Sequence, residues 1–310
     1  MIGPCSAAFG SELLMPLVAT LIACPGGPVL DDNTVACVVL GYDVAAEWLA
    51  PGVAVDLVVE TGSANALEAD LCHRLAGLPV DIVVQPLERR RKKLLVADMD
   101  STVITVECID VLAARAGIGE RVADITARTV RGELDFDSSL RERVALLAGT
   151  PVSALEDAWR DDVTLTPGAR TLVATMRSHG ALTALISGGF TWFTERVAEA
   201  VGFDLHRANR LDIADGRLSG TVEEPVLGRD AKETLLRGLI RQHGLDLADT
   251  LAVGDGANDI AMLEVAGLGV AFRGVEAARK AAPARIEHGD LTALLYLQGY
   301  RRDEFVDAGG

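Results

Sequence analysis

Leu94-Leu95-Val96-Ala97-Asp98-Met99-Asp100-Ser101-Thr102 is the stretch on which the fold turns. Four apolar residues run straight into two carboxylates separated by a single residue. A short, unbroken apolar run reads as a strand buried on both faces, the habit of parallel sheets with helices above and below. In open α/β sheets the chemistry gathers beyond the carboxyl ends of the strands, which is where Asp98 and Asp100 stand. One of two such carboxylates can act as nucleophile or cation ligand while its neighbour handles protons. The competing reading is an acidic turn closing a strand, because Asp is a common turn residue.

Downstream, the pattern changes from strand to helix. Residues 107–116, 120–130 and 136–147 have helical periodicity and end at Gly117, Gly132 and Gly149; residues 151–159 follow, with Thr150 as the expected cap. This insertion, residues 107–163, would sit above the carboxyl end of the first strand, where insertions serve as lids. Strand and helix then alternate. Pro167 opens a helix that runs to Gly180, and strand 181–186 ends in Ser187-Gly188-Gly189. Helix 190–201 follows, then a hairpin turning at Asp215-Gly216 and helix 231–243 with Lys232. Strand 250–253 ends in Gly254-Asp255-Gly256-Ala257-Asn258-Asp259, and 269–272 forms another strand. The expectation is an α/β fold: a doubly wound, mostly parallel sheet with right-handed crossovers and an inserted helical cap, spanning 94–310.

Residues 1–88 read as a separate small α+β unit. Strand 17–23 ends at Pro25-Gly26-Gly27-Pro28, and strand 53–59, helix 64–75 and strand 80–84 follow. The unit resembles a degenerate ACT domain, an amino-acid-sensing module, though without a convincing first helix. A structural or dimerising role is preferred to sensing, so a homodimer is one expected assembly. Glu88-Arg89-Arg90-Arg91-Lys92-Lys93 reads as a solvated linker between the two units.

At 310 residues, 49% of them hydrophobic, the chain is long enough for two cored domains. With 29 Lys plus Arg against 45 Asp plus Glu, the net charge of −16 repels phosphate backbones and anionic lipid, which argues against nucleic acid and membrane partners. A small anionic substrate then needs a local cation cluster or a bound metal. The five cysteines are scattered and form no Cys-x-x-Cys pair, against both a disulfide framework and a zinc site, so a reducing cytoplasm is expected. The apolar run 13–24 is short and broken by Pro16, unlike a signal peptide or a membrane span.

Three strand ends thus carry polar residues: Asp98 with Asp100, Ser187 with two glycines, and Asp255 with Asn258 and Asp259. Phosphoryl transfer needs these parts, namely a nucleophile, a cation site, phosphate ligands and a proton shuttle. Singly, each has a plainer reading as a turn serine, a solvated lysine or an acidic loop. Gly254-x-Gly256 fails as a dinucleotide loop because Asp259 stands where the third glycine belongs.

In order, Asp98-Met99-Asp100-Ser101-Thr102, Ser187-Gly188-Gly189, Lys232 and Gly254 to Asp259 resemble the four motifs of haloacid dehalogenase-like phosphatases. Glu107, Phe136 and Arg143 further resemble the members of that family that act on O-phospho-L-serine. The resemblance implies that Asp98 attacks phosphorus and Asp100 is the acid and base. It implies Mg2+ on Asp98, the carbonyl of Asp100 and Asp255, with Asn258 and Asp259 ordering that loop. Ser187, Gly188 and Lys232 would hold the phosphate. Glu107 would meet the substrate ammonium, Arg143 its carboxylate through a planar fork, and Phe136 would close over the apolar part. Val130 stands where a longer apolar chain such as Met is implied. Two alternatives stay open: transfer of the phosphoryl group to another small alcohol such as homoserine, and an amino-acid-binding regulatory protein on a phosphatase-like core.

Overall fold

A computed structural model of the chain describes residues 15–24, 30–60, 62–228 and 230–307. Its first unit runs β1 (Leu17–Ala23), α1 (Asp32–Val38), β2 (Ala45–Ala50), β3 (Ala54–Val59), α2 (Ala64–Arg74) and β4 (Val80–Pro86). The strands form an antiparallel sheet in the order β2-β3-β1-β4. Neither α1 nor β2 is anticipated by the sequence, and the reasons are local. With only seven residues, α1 depends on the Asp31 side chain accepting from the Thr34 N–H at 2.7 Å and on burial of Val35 and Val38. Three of the six residues of β2 are alanine, a poor strand former, so its pairing with β3 makes it a strand. The turn expected at residues 25–28 lies outside the described residues.

The second unit is built on six parallel strands, β5 (Leu94–Ala97), β6 (Leu182–Phe190), β7 (Leu205–Asn209), β10 (Thr250–Gly254), β11 (Leu268–Phe272) and β12 (Ala284–Ile286). Their order is β12-β11-β10-β5-β6-β7. Every residue of β5 is at 0% exposure, as its unbroken apolar run requires. Chain order reverses at β5, which has β6 on one side and β10 on the other, so the crevice beyond its end is the expected ligand site of such a sheet. The sequence supplies the four inner strands but not the edges β7 and β12. Leu205–Asn209 is half polar and Ala284–Ile286 has three residues, so neither makes an apolar run.

Between β5 and β6 come α3 (Cys108–Arg115), α4 (Gly119–Val130), α5 (Phe136–Leu146), α6 (Ser153–Asp161) and α7 (Ala169–Ser178); α8 (Thr191–Val201) follows β6. The chain leaves and re-enters the sheet side by side, with an Ile104–Leu165 bridge and the Thr105 N–H donating to Thr164 O at 3.0 Å. Helices α3 to α6 therefore form a cap hung on two adjacent threads. A hairpin, β8 (Leu211–Ala214) and β9 (Arg217–Val222), braces it from the side, with the Gly149 N–H donating to Leu218 O and the Leu218 N–H to Thr150 O, each at 2.8 Å. Thr150 does not cap α6; the residue there is Val152, without a side-chain bond. The remaining helices are α9 (Ala231–His243), α10 (Ile260–Val265), α11 (Glu276–Ala281) and α12 (Ala293–Leu297). Among the described residues no helix is long and apolar enough to cross a membrane.

The basic run 88–93 is not a solvated linker. Arg90 is 9% exposed and forms an ion pair with Asp56 of β3, and it also donates to the main-chain carbonyls of Tyr296 and Leu297 in α12. Lys92 is equally buried and donates to Ala248 O at 2.9 Å. Gln85 and Asp81 of β4 complete the junction: Gln85 donates to Leu297 O, and Asp81 accepts the N–H groups of Glu287, His288 and Gly289. Alternate basic residues are drawn in because the helix-end carbonyls and Asp56 need donors where water is excluded.

Candidate active site

The chain turns sharply after β5. The Asp98 N–H continues the sheet ladder to Val253 O at 2.9 Å, and the Ile104 N–H closes a wide turn on Met99 O at 3.0 Å. Ser101, at its centre, is left-handed at φ +55°, a conformation rare for a residue with a side chain. The turn sends Asp98 and Asp100 into one cavity of about 190 Å³ beneath the cap. Its wall also carries Glu107, Phe136 and Arg143 from the cap side, Ser187 and Gly188 from the end of β6, and Asp255 with Asn258 from the end of β10. Lys232 and Asp259 lie buried under the floor.

The floor is an electrostatic knot. Lys232 Nζ is 2.6 Å from Asp98 Oδ1 and 2.5 Å from Asp259 Oδ1. Burial opposes the lysine charge, but Asp259 and Asp98 outweigh it and hold the ammonium above the usual lysine range. Asp259 spends its second oxygen on the N–H groups of Asp255 and Gly256, so it orders the loop and has no oxygen left over. Asp98 accepts the Met99 N–H and Asp255 the Thr102 hydroxyl, each through Oδ1, which leaves one oxygen of each carboxylate. Burial above all, then the neighbouring Asp259, pushes Asp98 well above the carboxylate range, with Lys232 pulling the other way. Burial raises Asp255 to about 6 against the hydrogen bond from Thr102.

Asp98, Asp255 and Asp259 around one ammonium leave a negative excess that a cation would relieve. Ligand atoms of Asp98, Asp255 and Asp259 come within 4.8 Å of one another, the donors are all hard oxygens, and neither Cys nor His takes part. That set suits a hard divalent ion. The oxygens left over on Asp98 and Asp255 are the ones to hold it, with Asp259 behind them.

Above the floor, Asp100 accepts the Cys108 N–H at 2.9 Å through one oxygen and the Ser187 hydroxyl at 2.9 Å through the other. The same hydroxyl accepts the Gly189 N–H at 2.8 Å. In the cap wall, Glu107 accepts from Ser101 Oγ at 2.7 Å. The crowding of its carboxyl by the cavity wall and by Asp100 pushes it up to about 7, although solvent still reaches it. Arg143 does not pair with Glu142 or Glu133, which take Arg128 and Arg131 instead. Its Nε donates to Ser139 O at 3.3 Å, and no ion pair to it occurs among the described residues. Phe136 closes directly over Gly188: a Cβ there would stand 2.7 Å from its Cζ. Val130 is 83% exposed and is not among the residues that line the cavity.

Two residues of the first motif have a hand in the site that a motif reading does not assign. Ser101 holds Glu107 and Thr102 holds Asp255, so the last two residues of the opening stretch tie the cap and the loop after β10 to the turn after β5. Their position directly after the second carboxylate is the one signal the sequence offers.

A six-stranded parallel sheet with a capped, acidic crevice at its switch point defines the doubly wound α/β class, with its ligand site beyond the strand ends. The model for haloacid dehalogenase-like hydrolases matches residues 95–264, and the chain belongs to that family. Within it, the chain is 44% identical over 256 residues to a phosphoserine phosphatase of Streptomyces coelicolor, covering 82% of this chain and 62% of that one. It thus spans less than two thirds of that relative's length. A HAD family hydrolase from Salmonella enterica serovar Typhi superposes with a TM-score of 0.82 at 26% identity, covering 91% of this chain and 98% of the other. A substrate-bound phosphoserine phosphatase superposes with a TM-score of 0.63 at 40% identity, covering 66% of this chain and 98% of the other.

Proposed function

We propose that the chain hydrolyses O-phospho-L-serine to L-serine and phosphate, the closing step of the phosphorylated route to serine, in a reducing cytoplasm. One observation carries the substrate: Glu107 and Arg143, opposite in charge, share the wall of the cavity that holds Asp98 and Asp100. An amino acid presents an ammonium and a carboxylate, and these two residues complement it while its phosphate faces the floor. The 40% likeness to a substrate-bound phosphoserine phosphatase supports this reading.

In this mechanism Asp98 attacks phosphorus in line and becomes an aspartyl phosphate. Asp100 gives its proton to the departing seryl oxygen, then takes one from the water that resolves the intermediate. Ser187, Gly188 and Lys232 hold the phosphate oxygens, the lysine as a point charge and Gly188 through a backbone with no Cβ to collide with Phe136. Mg2+ is the ion we assign to Asp98, the Asp100 carbonyl and Asp255; when bound it neutralises charge on the phosphoryl group. Phe136 shuts the cap, residues 107–163, and excludes water. The βαββαβ order of residues 17–86 supports the ACT-like reading, for which we favour a structural role over serine sensing.

The test is phosphate release from O-phospho-L-serine, phosphothreonine, phosphoethanolamine and an aryl phosphate, with magnesium and with chelator, in the presence and absence of homoserine. A magnesium-dependent preference for phosphoserine of about a hundredfold or more in kcat/KM is expected. A flat profile removes the substrate assignment, and phosphohomoserine formation would make the chain a transferase.

A further inference from the structure

The ladder between β6 and β7 breaks register where the chain passes the crevice. Ile186 pairs with Arg207 and Phe190 with Asn209, so four steps along β6 match two along β7. The surplus bulges outward as an arch made of Ser187, Gly188 and Gly189. An arch that turns its N–H groups toward a ligand takes its carbonyls off the ladder, and each needs a new donor. For Gly188 that donor is a side chain: Asn209 Nδ2 reaches its carbonyl at 2.8 Å. The other end of the amide is also engaged, with Oδ1 accepting the Leu227 N–H at 2.7 Å. A donor on one side and an acceptor on the other fix which way the amide faces. Leu227 stands on the loop that enters α9, five residues before Lys232, and Asn209 is 2% exposed.

We propose that Asn209 is a positioning residue that sets the spacing between the two halves of the phosphate seat, the Ser187–Gly189 arch and the Lys232 helix. The proposal rests on the phosphate assignment above, and Asn209 itself touches no substrate. Each half meets the phosphoryl oxygens from a different element, and one amide is the strut between the two. Misplacement by about 1 Å costs on the order of a hundredfold in rate where geometry carries catalysis. A plainer role, satisfying two buried main-chain groups, predicts lost stability without any bias between the ends of the substrate.

The experiment separates those ends. Aryl phosphate hydrolysis is inhibited with inorganic phosphate and, separately, with L-serine, in the wild-type chain and in Asn209→Asp and Asn209→Ser. Asn209→Asp keeps the acceptor for Leu227 but sets a carboxylate against the Gly188 carbonyl; Asn209→Ser loses both reaches. Phosphate affinity is expected to weaken about tenfold or more and kcat to fall about 10- to 100-fold, with serine affinity within about twofold. Equal weakening for phosphate and serine, or none for either, overturns the proposal. A wild-type chain that phosphate does not inhibit removes the phosphate seat itself. Should both variants misfold, hydrogen exchange on the wild-type chain decides: beryllium fluoride with magnesium should slow exchange at the Leu227 amide, and an unchanged rate overturns the strut.

Discussion

In the proposed mechanism the chemistry stands on Asp98, and its surroundings make its replacement informative. Asp98→Asn keeps the size of the side chain and removes one of the crowded negative charges. Turnover should therefore drop by about a thousandfold or more while the thermal midpoint holds or rises, read by phosphate release and calorimetry side by side. Arg143, with no ion pair among the described residues, is placed to meet a carboxylate. Arg143→Ala is expected to raise KM for phosphoserine about 30- to 100-fold and for an aryl phosphate by less than about threefold, and equal increases would remove the clamp. Glu107 gives the pH dependence. Its carboxyl is pushed up to about 7, and it meets an ammonium group only when ionised. Affinity for phosphoserine should accordingly fall as pH drops through 7, beyond the fall seen with an aryl phosphate, which shares the phosphate titration but lacks the ammonium. Parallel profiles for the two substrates would take Glu107 out of substrate binding.

Between elements, the contact that matters most is the cap on the arch. Phe136 Cζ lies 2.7 Å from where a Cβ on Gly188 would be, so Gly188→Ala should hold the cap ajar and cut kcat/KM at least tenfold. Phe136→Leu in the same chain should return part of that loss. A double-mutant cycle measures the coupling, and additive losses would mean that the two do not meet in the working enzyme. The sequence showed this level unevenly. Each strand end that carries chemistry was legible, because buried parallel strands make apolar runs and the polar residues after them stand out. The edge strands β7 and β12 were not, since sheet pairing makes them strands and their composition does not. Nor was α1, whose seven residues lean on Val35 and Val38. The polar residues of the cavity wall could be read from their motifs, whereas Ile109, Leu140 and Phe190 also line it unannounced, and Ser101 and Thr102 act through bonds to partners 6 and 153 positions away, which spacing does not reveal.

At the scale of the whole molecule, the two sheets are joined by buried polar contacts. Charge runs usually lie in water, and the run 88–93 read that way because nothing local shows that Asp56 and the end of α12 need donors. Arg90→Met should cost about 3–5 kcal/mol in denaturant unfolding, since it strands a buried Asp56. Pairing it with Asp56→Asn should recover much of that, and a cost below about 1 kcal/mol for Arg90→Met alone would mean the junction carries little. The partners of this junction also lie far apart along the chain. Gln85 and Arg90 reach Leu297 across 212 and 207 positions, so the first sheet leaves the ribosome long before its seat exists. At 5–20 residues per second, the polar edge of β4 and the arginine behind it wait roughly 10–40 s for α12 to be made. Joining the two halves thus waits until residue 297 has been made, and a chain halted before it carries a first sheet with nothing to close on.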